Sequence, residues 1–443
     1  MIQAVRNALS LPDLRRKIVF TLLILLIYRA ASHIPVAGVN QEALRNFLAS
    51  GGAGSELLNF LDLLSGGALA NFSVMAMGVY PYITASIIIQ LLTPIIPRLE
   101  EIAKEPGGRD KLNQYTYWLT VPLAALQAYG QAVFMNSAVG RGGTQLLPGF
   151  GTSAPDTIAT LATMTAGTVF AVWLGGLITE QGIGNGVSLI IFGGIVARLP
   201  RNVLNFIVRQ DYIGLIIFAL ITAATVGVIV FVQEGQRRIP VQYGKRVRGT
   251  RVYGGQSAHI PLRVNSAGMI PLIFAQSIMI FPSTIASYFA NRGGTGILQS
   301  LADGIYNNLR PNSDAWLYWI LYFFMVIGFT YFYTDVIFRQ QNLAENLQRQ
   351  GGFIPGLRPG KRTEEYLNKV VQRITLVGAI FLGAVAILPW VVQLIPGLAR
   401  TGQQTNSLLI TSTGLLIVVG VVLDTLKQLE AQLLMRHYEG FIK

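Results

Sequence analysis

Apolar runs close to twenty residues long recur from one end of this 443-residue sequence to the other, which restricts the chain to membrane spans. A bilayer's hydrocarbon core takes roughly twenty residues of helix, and inside it every backbone N–H and C=O must be satisfied within the structure itself. Counting apolar windows places spans near 18–36, 72–94, 115–135, 157–178, 186–207, 212–233, 264–290, 315–337, 370–391 and 407–427. Hydrophobic residues make up 52% of the chain and charged residues only 12%, which excludes an ordinary soluble core and makes this one membrane domain. The first run passes through "YRAASHIPVAG" with no A-x-A-like cleavage site and is expected to be a retained span.

Charge sets the expected orientation. With the N-terminus inside, the N-terminal segment, "PRLEEIAKEPGGRDKLNQ", residues 234–263, residues 338–369 and the C-terminal tail share one side and hold 24 of the 34 Lys+Arg. All eight lysines lie there, and by the positive-inside rule that side, with both termini, is cytoplasmic. The net charge of +13 is therefore a set of basic loops on one membrane face, and attraction to anionic lipids is its plainest consequence. Two loops exceed that need. Residues 234–263 carry seven Lys/Arg against Glu234, residues 338–369 carry six against three acids, and each is about thirty residues long. Bare connections need roughly two to eight. Tyr243, Tyr253 and Phe353 among the charges suit a protein or RNA surface.

The span centres lack the chemistry of pumps and membrane enzymes. Ion coupling needs ionisable groups near the midplane, yet Arg29, Asp335, Arg373 and Asp424 all fall toward span ends. His33, His259 and His437 lie outside the span centres, and cysteine is absent, so neither a metal site, a cofactor nor a catalytic triad is indicated. "GIGNG" lacks the Lys-Ser/Thr of a phosphate loop and reads as a tight hairpin between spans four and five.

One span is broken at its start. "ELLNFLDLLSGGALANF" spaces Leu57, Leu58, Leu61 and Leu64 helically and ends at Gly66-Gly67, too short to cross a bilayer. Irregular backbone at membrane depth is tolerated only inside protein or beside a water-filled cavity, so a re-entrant element over a cavity is expected.

"SGGAL…GVYPYITASIIIQLL", "GIGNGVSLIIF", "GQRRIPVQY", "VNSAGMIPLIFA" and "GFIPGLRPG" resemble, in order and spacing, the signatures of the bacterial SecY family, channel subunits of the general protein-secretion translocon. The resemblance implies an all-α polytopic membrane protein of the bacterial cytoplasmic membrane, with ten transmembrane helices in two pseudo-symmetric halves, 1–210 (spans 1–5) and 211–443 (spans 6–10), around an hourglass pore. It implies a short plug helix near 57–70, with Leu57, Leu58, Asn59, Phe60, Leu61, Asp62, Leu63, Leu64, Ser65, Gly66 and Gly67. It puts a constriction ring on Val79, Ile83, Val187, Ile191, Ile273 and Ile417, two of them Val where Ile is common in the family, for a slightly wider or more plug-dependent seal. Lateral-gate polar residues fall on Thr84, Gln127 and Asn265, and docking of a SecA motor ATPase or a ribosome, including its RNA, on Arg246, Arg248, Arg251 and Arg358. Further implied partners are SecE-like and SecG-like subunits, signal sequences and nascent chains. The chain itself would perform no covalent chemistry.

Without the motif context the ring residues read as plain helix core and the gate residues as satisfied polar groups in a bundle. A secondary transporter of inverted-repeat type shares the Gly/Pro-interrupted spans but predicts a buried ionisable site. A membrane-embedded protease predicts a Ser/His or two-His set, for which the three outlying histidines are unsuited.

Overall fold

The computed structural model describes residues 11–49, 67–140, 145–197, 199–208, 210, 212–243, 246–248, 251–253, 257–276, 278–279, 304, 308–309, 316–393 and 412–439. The chain forms two compact units, one of Met1–Ile217, Ile280–Ala315 and Ile417–Lys443, the other of Phe218–Met279 and Trp316–Leu416.

The first unit contains α1 (Pro12–Ala31), α2 (Gln41–Ala49), α3 (Tyr80–Leu92), α4 (Pro97–Lys104), α5 (Gly108–Gly140), α6 (Ala154–Gln181), α7 (Gly186–Val196) and α8 (Leu199–Val208). Proline in the first turn opens α1, α3, α4 and α6, where its missing N–H costs nothing. A buried cluster joins α5 and α6 to the segments around Val36 and Phe72, with Met135, Leu146 and Met164 among its members. α9 (Tyr212–Glu234) leads into the second unit, which holds several short strands, α10 (Trp316–Gln341), α11 (Leu343–Arg349) and α12 (Lys361–Gln393); α13 (Ser412–Glu439) returns to the first.

Ala154–Gln181, Gly214–Glu234, Trp316–Arg349 and Lys361–Leu388 are each long and apolar enough to cross a membrane. α3 and α4 form a pair bent by 100°, with Pro94 and Pro97 around the bend.

Several expected boundaries move. The first span stops at Ala31 rather than residue 36, because Pro35 leaves the helix to bridge Ser73. The second starts at Tyr80 rather than residue 72, and the fifth divides into α7 and α8, with Pro200 in the first turn of α8. The seventh becomes helical only at residue 270.

The expected loop 234–263 is largely β-structure. β1 (Gln236–Tyr243) pairs antiparallel with β4 (Ser257–Arg263), Ile239 opposite Ile260, and its other edge takes β5 (Gly352–Phe353) from the second basic loop. β2 (Arg246–Arg248) and β3 (Arg251–Tyr253) form a separate small hairpin. Ile239, Val241 and Leu262 from the sheet are buried with Leu347, Ile354, Leu367 and Val370, so the two basic loops fold as one module around a shared core.

Candidate pore, gate and docking residues

The break before α3 is tightly built. Leu69–Asn71 make a single 3₁₀ turn, and Phe72 follows fully buried with φ 41°, a left-handed backbone rare for a bulky residue. Phe72 O accepts from Val36 N at 3.0 Å and Ile34 O from Val74 N at 2.9 Å. Turns then close through Ala76 N to Ser73 O and Gly78 N to Met75 O, both 2.8 Å. Gly78, at φ 51°, supplies the last reversal before the helix. Phe72, Ser73, Met75, Ala76, Met77 and Val79 are all buried, which makes this a protein-walled stretch of non-helical backbone. α6 comes so close that a β-carbon on Gly167 would meet the Val74 carbonyl.

Of the expected plug, residues 57–66 lie outside the described residues; Gly67 is a turn residue at φ 89°. Val79 is the fully buried N-cap of α3, and Ile83 N donates to Val79 O at 3.1 Å, setting Ile83, half-buried, one turn on. Val187 and Ile191 are likewise a turn apart on α7, whose start is capped by Asn185 Oδ1 accepting from Ser188 N at 3.1 Å. Val187 is half-buried and Ile191 buried. Ile417 is buried on α13 in the first unit, and Ile273 is buried in the second.

Of the three expected gate residues, Thr84 and Gln127 meet: Gln127 Nε2 on α5 donates to Thr84 Oγ1 on α3 at 3.4 Å. Asn265 belongs to the second unit and bonds its own turn, Nδ2 donating to Gly268 O at 3.1 Å. Gln127 Oε1 and Asn265 Oδ1 are buried without a hydrogen-bond partner among the described residues, as is Gln276 Oε1, one helical turn after Ile273. Gln276 carries no local signal in the sequence, being a lone Gln late in an apolar run.

In the expected docking region Arg358 is exposed between Gly356 and Gly360, both at positive φ, and its carbonyl accepts from Thr363 Oγ1 at 3.0 Å at the start of α12. Arg248 pairs with Arg251 and Arg246 with Tyr253 across the β2–β3 hairpin. Just after α4, Glu105 accepts from Lys111 Nζ at 2.9 Å, a pairing that holds the ammonium's pKa above its ordinary value. α6 also packs closely on the start of α7: a β-carbon on Gly175 of α6 would lie 3.1 Å from Val187 Cγ2.

A family model described as SecY matches residues 73–426. The protein translocase subunit SecY of Halalkalibacterium halodurans is 44% identical over 456 residues, covering 100% of both chains. That of Thermotoga maritima is 42% identical over 458 residues, covering 100% of this chain and 98% of its own. Among solved structures, one described as "The structure of a protein conducting channel" aligns with TM-score 0.59 at 17% identity, over 94% of this chain and 91% of the other. The idle yeast Ssh1 complex, described as bound to the 80S ribosome, aligns with TM-score 0.60 at 15% identity, over 94% and 89%. These two likenesses speak to the fold. Matched over residues 73–426 and along the whole length of these relatives, the chain belongs to the SecY family of protein translocase subunits, mostly helical polytopic membrane proteins that form protein-conducting channels.

Proposed function

We propose that this channel carries unfolded preproteins across the bacterial cytoplasmic membrane and releases apolar segments sideways into lipid, as a passive pore with both termini cytoplasmic. The observation that carries the reading is the buried, non-helical stretch 72–79, since irregular backbone at membrane depth belongs where protein walls a cavity. In this reading Val79, Ile83, Val187, Ile191, Ile273 and Ile417 form the neck between the halves 1–210 and 211–443. Apolar side chains in a narrow neck make ion hydration unfavourable and give a sliding peptide no sticking point. Residues 57–67 stop the pore from outside. Thr84, Gln127 and Asn265 hold the side gate through interhelical contacts weak enough for a signal sequence to displace.

The chain performs no covalent chemistry in this account, and energy comes from partners. Arg246, Arg248, Arg251 and Arg358 on the basic module receive a SecA motor or a ribosome, including its RNA; SecE-like and SecG-like subunits complete the complex, and anionic lipids flank the basic face. A transporter is less well supported: of the ionisable residues near span ends, Asp335, Arg373 and Asp424 are exposed rather than enclosed in a bundle.

The test is a leak. Replacing Ile83 and Ile191 together by Gly is expected to raise the resting ion conductance of reconstituted vesicles at least several-fold. A membrane that stays as tight as with the parental chain would remove both residues from the neck.

A further inference from the structure

The second unit contains a direct backbone contact between the docking module and the segment bearing Asn265. Val264 follows the last residue of β4 and precedes Asn265. Its N–H donates to Gly235 O at 2.9 Å, which closes the base of the sheet next to β1. Its carbonyl side rests on α12. A β-carbon added at Gly378 would lie 2.5 Å from Val264 O, 3.3 Å from its carbonyl carbon and 3.7 Å from Asn265 Cα. The obstructing atoms are backbone, so no rotamer change relieves them, and any side chain at position 378 must displace the Val264–Asn265 segment.

The other end of α12 belongs to the docking module. Thr363 Oγ1, in its first turn, holds Arg358 O at 3.0 Å, and Leu367 and Val370 are buried against Ile239, Val241 and Leu262 of the sheet. From Lys361 to Gly378 the helix advances by seventeen steps, about 25 Å at 1.5 Å per residue, without a described break. A packed helix of that length moves as a body, because close-packed interiors transmit displacement instead of absorbing it.

We propose that Gly378 is a positioning residue: by letting α12 lie directly on Val264, it transmits displacement of the docking face to the backbone of Asn265. This rests on the docking and gate roles proposed above. The atoms nearest position 378 are backbone, so coupling along α12 depends on the absence of a β-carbon there. Docking, stability and transport are separable readouts of that coupling.

The experiment uses the full translocon complex in proteoliposomes with purified SecA and a preprotein. Gly378→Ala is expected to bind SecA with a Kd within twofold of the parental complex while preprotein-stimulated ATPase and translocation fall at least tenfold. Gly383→Ala is the control: on the same helix, its β-carbon would meet the Phe323 ring at 2.7 Å, perturbing the packing of α12 on α10 away from Val264. It is expected to lower thermal stability while translocation falls no more than SecA binding does. The inference is overturned if Gly378→Ala translocates normally, or if both variants lose translocation in proportion to lost stability. Arg358→Glu, assayed alongside, isolates the underlying reading: normal SecA binding and transport there would overturn the docking role and this inference with it.

Discussion

The Thr84–Gln127 contact can be accounted for atom by atom. Thr84 has one hydroxyl proton, and it is donated to Tyr80 O at 3.1 Å. Toward Gln127 the Thr84 oxygen can therefore only accept, which fixes the glutamine's NH₂ toward it at 3.4 Å and turns Oε1 to the side where no donor waits. A buried carbonyl oxygen left without a donor costs about 1–3 kcal/mol, so the resting pair holds less than its geometry first implies. Gln127→Leu is expected to leave thermal stability unchanged or raised by up to about 1 kcal/mol, because it removes the unsatisfied oxygen along with a long hydrogen bond. In a double-mutant cycle with Thr84→Val, the coupling should fall within roughly 0.6–2 kcal/mol, the range for interhelical polar pairs in membranes. A coupling of 3 kcal/mol or more, read from thermal denaturation in detergent, would contradict this account. At this scale sequence read only partly. Thr84 and Gln127 came forward through family motifs, since a polar residue within an apolar run does not say which helix it faces. Which oxygen is left over depends on Tyr80, whose carbonyl has no sequence signature.

The elements divide by the signal each one leaves. Long helices such as α6 and α12 are legible because their apolar runs exceed what any soluble helix of that length would bear. The strands of the basic module are poorly legible in the sequence, and its prolines are the reason. Pro240 and Pro261 sit within β1 and β4, where a missing N–H argues against a strand, although Ile239/Val241 and Ile260/Leu262 alternate at the period of two. The structure accommodates both: Pro261 lies on the edge strand β4, and Pro240 falls in the part of β1 that β5 does not reach, since β5 pairs only with Gln242 and Tyr243. The start of α3 was half legible. Composition showed an interruption, but the turn geometry rests on long-range bonds to Ile34 and Val36. The module offers an element-level prediction. Ile239 is 2% exposed and pairs with Ile260, so Ile239→Ala is expected to cost about 2–5 kcal/mol within the module. Limited proteolysis should then cut within residues 234–263 and near 350–358 at least tenfold faster, with the membrane-spanning helices still protected. Equal cutting before and after the change would mean that the two loops do not share a core.

For the whole molecule the deciding question is orientation, and the composition supplies an unusually clean way to ask it. The basic residues of 234–263 and 338–369 fold into one module rather than two independent loops, so a single topological decision carries thirteen positive charges to one face. Crossing a bilayer with that module would require stripping water from all of them, which is why the charge bias sets the orientation. The chain has no cysteine, so a single thiol can be introduced anywhere without first removing others. Gln350, exposed at the end of α11 within the module, and Thr152, exposed just before α6, are expected on opposite faces. Gln350→Cys should react with a membrane-impermeant maleimide in inverted vesicles but not in intact spheroplasts, and Thr152→Cys should show the reverse. Both changes are at solvent-facing positions and are expected to leave stability within about 0.5 kcal/mol. The paired design guards against a merely unreactive thiol, since each position has one preparation in which it must label. Labelling of both residues from the same side would break the count of spans between them. Labelling of each from the opposite side would invert the cytoplasmic assignment of the docking module, leaving a cytoplasmic motor or ribosome nothing to engage.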